Sequence, residues 1–249
     1  MITDKMLTKL WDVMFDAVYV LVYIPYMNTR FEKLLSELKR VGLYDSKKLH
    51  ITYTTNSTFS ESIFRSRAIP MNNITVHAVD IMNSSLEHYR VIKSSQQLGL
   101  NRICIFEDDV VFLKNLEEIY NILTNLPTDY DICLGDSSFG KSDNEFEHRK
   151  DVARNHKVNK YWADTAGTAP IWLASCYIAN QPAMEHMWKS QEVRLEVPDH
   201  YTYKGGNLKR CFAIKNICIQ RELDGSLTPK NILHRRYVKQ GLNLEDYNL

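Results

Sequence analysis

Apolar runs alternate with amphipathic stretches along the first half of the chain. Continuous β-favouring runs at 18–24 and 102–106 are typical of strands that are buried on both faces. Further strands are predicted at 49–54, 74–79 and 130–134. Apolar residues at helical spacing predict a helix over 4–16, and others between the strands. Because strands alternate with helices, we predict an α/β fold with a mostly parallel sheet and helices on both of its faces.

Two of the predicted helices begin with a recognisable capping signal. Thr29 with Glu32, and Ser84 with Glu87, form capping-box patterns, the second of which predicts a helix over 85–98. Other helices are predicted from about 115 to 126 and from 182 to 188.

The second half of the chain is less regular than the first. Residues 137–165 are polar and predict a long loop, after which 171–178 predict another strand. Neither an internal repeat nor a change of composition marks a boundary. We therefore expect a single domain over 1–249.

Composition and charge exclude several classes of protein. The chain has 31 Lys and Arg against 30 Asp and Glu, so its net charge gives no reason to bind nucleic acid or an anionic membrane. Its five cysteines lack the paired spacing of a zinc site, which favours buried, reduced thiols. The apolar run 17–24 is too short to span a membrane, and the charged stretch before it does not resemble a signal peptide. We expect a soluble, cytoplasmic protein.

The strongest chemical signal is an acidic triplet, Glu107, Asp108 and Asp109, directly after a predicted buried strand. In open α/β sheets, ligands bind at the carboxyl ends of the strands. Three adjacent carboxylates repel one another, so a cation would stabilise them. Their oxygens suit Mg²⁺ or Mn²⁺, with a substrate diphosphate completing the coordination shell. A solvated turn with ordinary surface acids remains the alternative interpretation.

Residues 83–112 resemble the central block of glycosyltransferase family 25, which contains lipopolysaccharide-type and collagen-type galactosyltransferases. In that block, a helix containing Ser-His precedes an apolar strand that ends in Glu-Asp-Asp-Val. Here the helix carries His88, preceded by Glu87 instead of serine, and the strand runs into the triplet and Val110. Weaker similarity extends over about 18–200, including Arg30 after the first strand and Val197-Pro198-Asp199, which is similar to the family's late Pro-x-Asp element.

The resemblance implies a GT-A fold, with 18–135 as the nucleotide-sugar-binding half and 136–249 as the acceptor-side half. It also implies an inverting transfer of a hexose from a UDP-sugar to a hydroxyl of a glycan, a glycolipid or a protein. Mn²⁺ or Mg²⁺ would be held by Asp109, with Glu107 or Asp108 assisting, and Asp108 is also a candidate for binding the donor. A divalent ion would stabilise the charge that builds up on the departing diphosphate. Asp199 is the candidate base for the acceptor hydroxyl, and Asp136, after the strand at 130–134, is the alternative. Asp199 could instead be a helix cap.

Other residues are candidates for donor or metal binding, each with a structural alternative. Asp80 could bind ribose or sugar hydroxyls, or else terminate a strand. His88 could orient a carboxylate or face the donor, or else lie on a helix surface. His234 could be a further metal ligand or a surface residue. The remaining candidates are Tyr23 and Tyr26 for the nucleobase or else for the aromatic core, Arg30 for the donor, and Lys230, Arg235 and Arg236 for the diphosphate or else for a solvated charged face.

Two other functions are compatible with the sequence. A two-metal phosphodiesterase or nucleotidyltransferase also clusters carboxylates but needs further acids around a second ion. A non-catalytic sugar-binding relative would keep the fold without the activity. The sequence does not fix the oligomeric state, and a peripheral contact with a membrane stays open.

Overall fold

The computed structural model describes residues 1–23, 27–54, 76–139, 145–165, 171–172, 175–193, 207–221, 237–239 and 241–247. The strands in this part of the chain are β1 Ala17–Val22, β2 Leu49–Tyr53, β3 Arg102–Glu107, β4 Val110–Phe112, β5 Ile132–Leu134, β6 Ser138–Phe139, β7 Trp162–Asp164, β8 Ile171–Trp172, β9 Cys176–Asn180, β10 Arg210–Ala213 and β11 Cys218–Gln220. The helices are α1 Asp4–Met14, α2 Met27–Arg40, α3 Val76–Gln97, α4 Leu116–Thr124, α5 Glu145–Asn155 and α6 Gln181–Val193, followed by a 3₁₀ turn at Leu244–Tyr247.

Seven of the described strands form one mixed sheet in the order β2-β1-β3-β9-β5-β10-β7. β1 pairs in parallel with β2 and β3, and β5 pairs in parallel with β10. β9 runs antiparallel between β3 and β5, and β7 is antiparallel to β10. Five of these seven strands therefore point the same way, which confirms the prediction of an α/β fold with a mostly parallel sheet.

Helices cover both faces of the sheet, as the continuous apolar runs predicted. On one face, Trp11 of α1, Leu38 of α2 and Ile122 of α4 join a core with Val20 and Phe106. On the other face, Ile92 of α3 and Met187 of α6 pack with Leu21 and Ile105. Alternate residues of β1 and β3 thus enter different cores, which explains why these strands are apolar throughout.

Several predicted elements are confirmed, with ends shifted by a few residues. The predicted helices at 4–16, 115–126 and 182–188 correspond to α1, α4 and α6. Thr3 caps α1, since its side chain accepts a hydrogen bond from the backbone N–H of Met6. Asn115 caps α4 in the same way, through the N–H groups of Glu117 and Glu118.

The predicted strand at 74–79 is wrong, because α3 begins at Val76 and continues to Gln97. Ser84 and Glu87 therefore lie inside a helix and do not cap one. The Ser84 hydroxyl lies 3.5 Å from Glu107, and Glu87 pairs with Arg90 on the next turn. The β-branched residues near the start of the helix produced a local strand signal that the long helix overrides.

The predicted loop over 137–165 is also wrong, since it contains β6, α5 and β7. The predicted strand at 171–178 corresponds to two separate strands, β8 and β9. Among the described residues, no helix is both long and apolar enough to cross a lipid bilayer.

Candidate functional site

The acidic triplet forms a tight connection between two strands, at the end of the sheet where the carboxyl end of β3 lies. Glu107 is the last residue of β3, Asp108 and Asp109 make the turn, and β4 follows directly. We call residues 107–109 the acid turn. Because β3 lies in the middle of the sheet, its carboxyl end lies at the position where open α/β sheets bind ligands.

Asp108 connects the acid turn to the first strand and to α2. One of its oxygens accepts a hydrogen bond from the backbone N–H of Tyr23 at 2.8 Å, and the other accepts one from Arg30 Nη1 at 3.1 Å. Burial raises the pKa of the Asp108 carboxyl, and the charge of Arg30 opposes that rise. Tyr23, Arg30 and Asp108, all predicted to bind the donor, are therefore brought together at one place.

Asp109 is buried in a different electrostatic situation. Its Oδ2 lies 4.0 Å from Arg30, whereas its Oδ1 is buried and finds no hydrogen-bond donor among the described residues. Burial, followed by the charges of Glu107 and Asp108, raises the pKa of this carboxyl well above its ordinary value. A buried carboxylate oxygen without a donor is energetically costly, so a cation at this place would be stabilising.

Glu107 is held from two sides. Its Oε2 accepts a hydrogen bond from Gln220 Nε2 at 3.0 Å, and its Oε1 lies 3.4 Å from His88 Nε2. His88 is fully buried, and its Nδ1 lies 2.8 Å from the hydroxyl of Tyr177 on β9. If His88 Nε2 donates to Glu107, then His88 Nδ1 accepts a hydrogen bond from the Tyr177 hydroxyl. These two hydrogen bonds orient the imidazole between Glu107 and Tyr177. His88 thus contacts a carboxylate, which was one of its two predicted roles.

Asp136 lies two residues after β5, at the same end of the sheet, and is fully buried. Its Oδ1 accepts a hydrogen bond from Asn216 Nδ2 at 2.8 Å. Its Oδ2 accepts hydrogen bonds from the hydroxyls of Ser175 and Tyr237, the latter at 2.9 Å. Burial raises the pKa of the Asp136 carboxyl to about 7, although the two hydroxyls act against the rise.

A buried arginine lies behind this aspartate. Arg149 of α5 donates to Asn216 Oδ1 at 2.8 Å and to the backbone oxygens of Ser137 and Ala213 at 2.9 and 3.1 Å. Asn216 therefore bridges Arg149 and Asp136, with its amide oxygen facing the cation and its amide nitrogen facing the carboxylate. Burial lowers the pKa of Arg149 to about 10, while Tyr247 and Asp136 act against the fall.

β11 connects the acid turn to the C-terminal part of the chain. It pairs antiparallel with β4, so Gln220 lies opposite Val110. The N–H of Arg221 donates to the backbone oxygen of Asp109 at 2.7 Å, and the N–H of Gln220 donates to the Tyr237 hydroxyl at 3.0 Å. Residues 221 and 237, which flank the stretch 222–236, are thus both fastened beside the acid turn.

The fit of a divalent ion depends on Asp109. Among the described residues, no group of three or more His, Cys, Asp or Glu side chains is arranged to hold a metal ion. Mg²⁺ is often bound by one or two carboxylates, with waters and substrate phosphates supplying the other ligands. Asp109 Oδ1, buried and without a donor, fits that arrangement, whereas the oxygens of Asp108 are already engaged.

The remaining predicted site residues are not part of the site geometry described above. Asp199, His234 and Tyr26 lie outside the described residues, as do Lys230, Arg235 and Arg236. The prediction that Asp80 lies at the end of a strand is wrong, because Asp80 lies in the first turns of α3.

Sequence reasoning missed the polar residues that hold the acids. These residues are Ser175, Tyr177, Asn216, Gln220 and Tyr237. Gln220 offered a weak signal, because it is a polar residue at the end of an apolar run. The other four gave none, since their partners are distant in the chain.

No protein-family model and no curated protein matches the chain. Among solved structures, it is similar to a glycosyltransferase involved in the glycosylation of the major capsid of PBCV-1, with 12% identity and a TM-score of 0.32, over 72% of this chain and 68% of that one. It is also similar to the apo form of mouse xyloside xylosyltransferase 1, with 11% identity and a TM-score of 0.31, over 77% and 78% of the two chains. These values record a distant structural similarity and do not show membership of glycosyltransferase family 25.

Proposed function

We propose that the protein is a metal-dependent inverting glycosyltransferase that moves a hexose from a UDP-sugar to a hydroxyl of a glycan, a glycolipid or a protein. The observation that carries the proposal is Asp109, a buried carboxylate with one oxygen that has no donor among the described residues, in a cluster of acids at the carboxyl end of a central strand. The sequence around this turn resembles glycosyltransferase family 25, which supports a nucleotide-sugar as the ligand.

Each residue of the acid turn has a separate task in this proposal. Asp109 is the ligand of Mn²⁺ or Mg²⁺, which when bound neutralises charge on the diphosphate leaving group. Glu107, which is oriented by His88 and Gln220, supports the ion from the end of β3. Asp108 keeps Arg30 at the turn, where the guanidinium adds positive charge beside the diphosphate.

The base that accepts the proton of the acceptor hydroxyl is better assigned to Asp199 than to Asp136. A pKa of about 7 would suit a base, but Asp136 is fully buried and accepts hydrogen bonds on both oxygens. A base has to reach the proton that it removes, so geometry weighs more than the pKa. We therefore give Asp136 a supporting role and keep Asp199 as the candidate base.

Calorimetry with a panel of UDP-sugars, each with and without Mn²⁺, tests the proposal directly. We expect the wild-type protein to bind at least one donor in a metal-dependent way, and Asp109→Asn to lose that binding. Asp164→Asn is the matched control, because Asp164 lies on the edge strand β7 and bonds to Tyr130. Failure of the wild-type protein to bind any nucleotide donor in the presence of metal would refute the assignment.

The role of Asp199 needs a kinetic measurement. Asp199→Asn is expected to bind donor and metal normally while transfer slows by about 10²–10⁴-fold, the usual contribution of a general base. If Asp136→Asn alone produces that pattern, with Asp199→Asn unchanged, the assignment of the base is reversed.

A further inference from the structure

Asp136 and Glu107, two acids at the carboxyl end of the sheet, are linked through Tyr237 and Gln220. Asp136 Oδ2 accepts from the Tyr237 hydroxyl at 2.9 Å, and the Tyr237 oxygen accepts from the N–H of Gln220 at 3.0 Å. The side chain of Gln220 then donates to Glu107 at 3.0 Å. One tyrosine therefore connects the supporting aspartate to the strand that clamps the acid turn.

The position of Tyr237 makes this link strict. Tyr237 is fully buried, and its single hydroxyl proton is directed to Asp136 while its oxygen accepts from Gln220. Phenylalanine would keep the ring and its packing but remove both hydrogen bonds. The backbone N–H of Gln220, at the end of β11, would then lose its acceptor next to the residue that holds Glu107.

We propose that Tyr237 is a positioning residue, which fixes β11 against β4 and thereby sets the geometry of the acid turn for metal-dependent donor binding. This inference rests on the proposed function for its effect on the ligand, but its structural part can be measured without one. The expected consequence of losing the hydroxyl is local loosening at residues 107–112 and 218–221, followed by weaker binding of metal and donor.

The chain supplies a matched control in Tyr247. This residue is also fully buried and comes from the same C-terminal part of the chain, but its hydroxyl donates to the backbone oxygen of Asn216 at 2.8 Å. Tyr247→Phe therefore removes a buried tyrosine hydroxyl without cutting the link between Asp136, Tyr237 and Gln220.

Amide hydrogen exchange of the ligand-free protein is the first test. In Tyr237→Phe, the amides of 107–112 and 218–221 should exchange about tenfold faster than in Tyr247→Phe, as expected for the loss of a hydrogen bond worth about 1.4 kcal/mol. Amides of β1 and β2, away from the turn, should be equal in the two variants. Equal exchange at the acid turn in both variants would overturn the proposal.

A double variant tests whether the effect on the ligand passes through Gln220. With Mn²⁺ and the UDP-sugar that wild type binds best, Tyr237→Phe and Gln220→Ala should each weaken affinity by about tenfold, and the double variant by little more. Fold-changes that multiply in the double variant would overturn that route. If wild type binds no donor at all, the proposed function fails, and the exchange measurement alone decides the role of Tyr237.

Discussion

The acid turn and the pocket around Asp136 are two buried acidic regions at the same end of the sheet, yet they are built in opposite ways. In the part of the chain that the structure describes, Asp109 has an oxygen without a donor, whereas Asp136 accepts hydrogen bonds from three side chains. Both carboxylates are desolvated, which raises the pKa of each. The contrast separates a group that the fold leaves ready for a ligand from one that the fold uses as a support.

The largest effect should come from Asp109→Asn. We expect metal-dependent donor affinity to fall by at least about 10²-fold, because the amide cannot replace an anionic metal ligand. The same change should raise the free energy of unfolding by about 1–3 kcal/mol, since it removes a buried charge that Arg30, 4.0 Å away, compensates only in part. Calorimetry and chemical denaturation give the two values. A variant that loses both binding and stability would show that Asp109 is a structural residue.

Asp136→Ala should act in the opposite direction. Removal of the carboxylate leaves buried donors on Ser175, Asn216 and Tyr237 without their acceptor, so we expect a loss of about 3–5 kcal/mol in the free energy of unfolding. Chemical denaturation measures this loss, with Asp164→Ala, on the edge strand β7, as the control. A loss below that of the control would contradict the supporting role of Asp136.

Gly135 tests how tightly the same region is packed. A Cβ atom at this position would lie 2.3 Å from the sulfur of Cys176 and 3.3 Å from Ile217. Gly135→Ala should therefore cost about 1–3 kcal/mol in the free energy of unfolding, through overpacking. Gly99→Ala is a useful comparison, because its Cβ would meet nothing within 4 Å, although its positive φ adds strain of its own. If thermal unfolding gives Gly135→Ala the smaller loss, the packing argument is wrong.

The last prediction concerns the pH dependence of the free energy of unfolding, and its effect is the smallest when taken per pH unit. The folded-state pKa of Asp136, about 7, lies above its ordinary value of 3.8, so between these values the folded protein keeps a proton that the unfolded chain has released. The free energy of unfolding should therefore fall as pH rises through this window and level off above it. Asp136→Asn should reduce the slope by up to about 1.4 kcal/mol per pH unit. Denaturation across the window checks this, and parallel curves for both proteins would contradict it.

The parts of the fold that the sequence predicted well are those where local pattern and tertiary environment agree. β1 and β3 are apolar on both faces because both faces are buried. α1 and α4 are each preceded by a residue that caps the helix. α5 was predicted as a loop because its inward residues include Arg149, a cation whose partners are all distant in the chain. An apolar periodicity cannot reveal a helix that buries a charged residue.

The candidate site divides in a similar way. The acid turn was visible because three carboxylates adjoin in the chain at the end of one strand. Ser175, Gln220 and Tyr237 were not, because each meets the acids only after β9, β11 and the C-terminal part of the chain have been assembled. Whether a buried carboxylate has donors is a tertiary property, so Asp109 and Asp136 could not be told apart by sequence.

The antiparallel strand β9 has a consequence for how the protein is made. During synthesis, β3 and β5 emerge before β9, yet β9 separates them in the finished sheet and brings Ser175 to the acids. A nascent chain that has not reached residue 180 would therefore expose the unpaired edges of β3 and β5 and could not complete the site. Protection by chaperones should be needed most during that interval of translation, and a fragment that ends before β9 should aggregate instead of forming a smaller working unit.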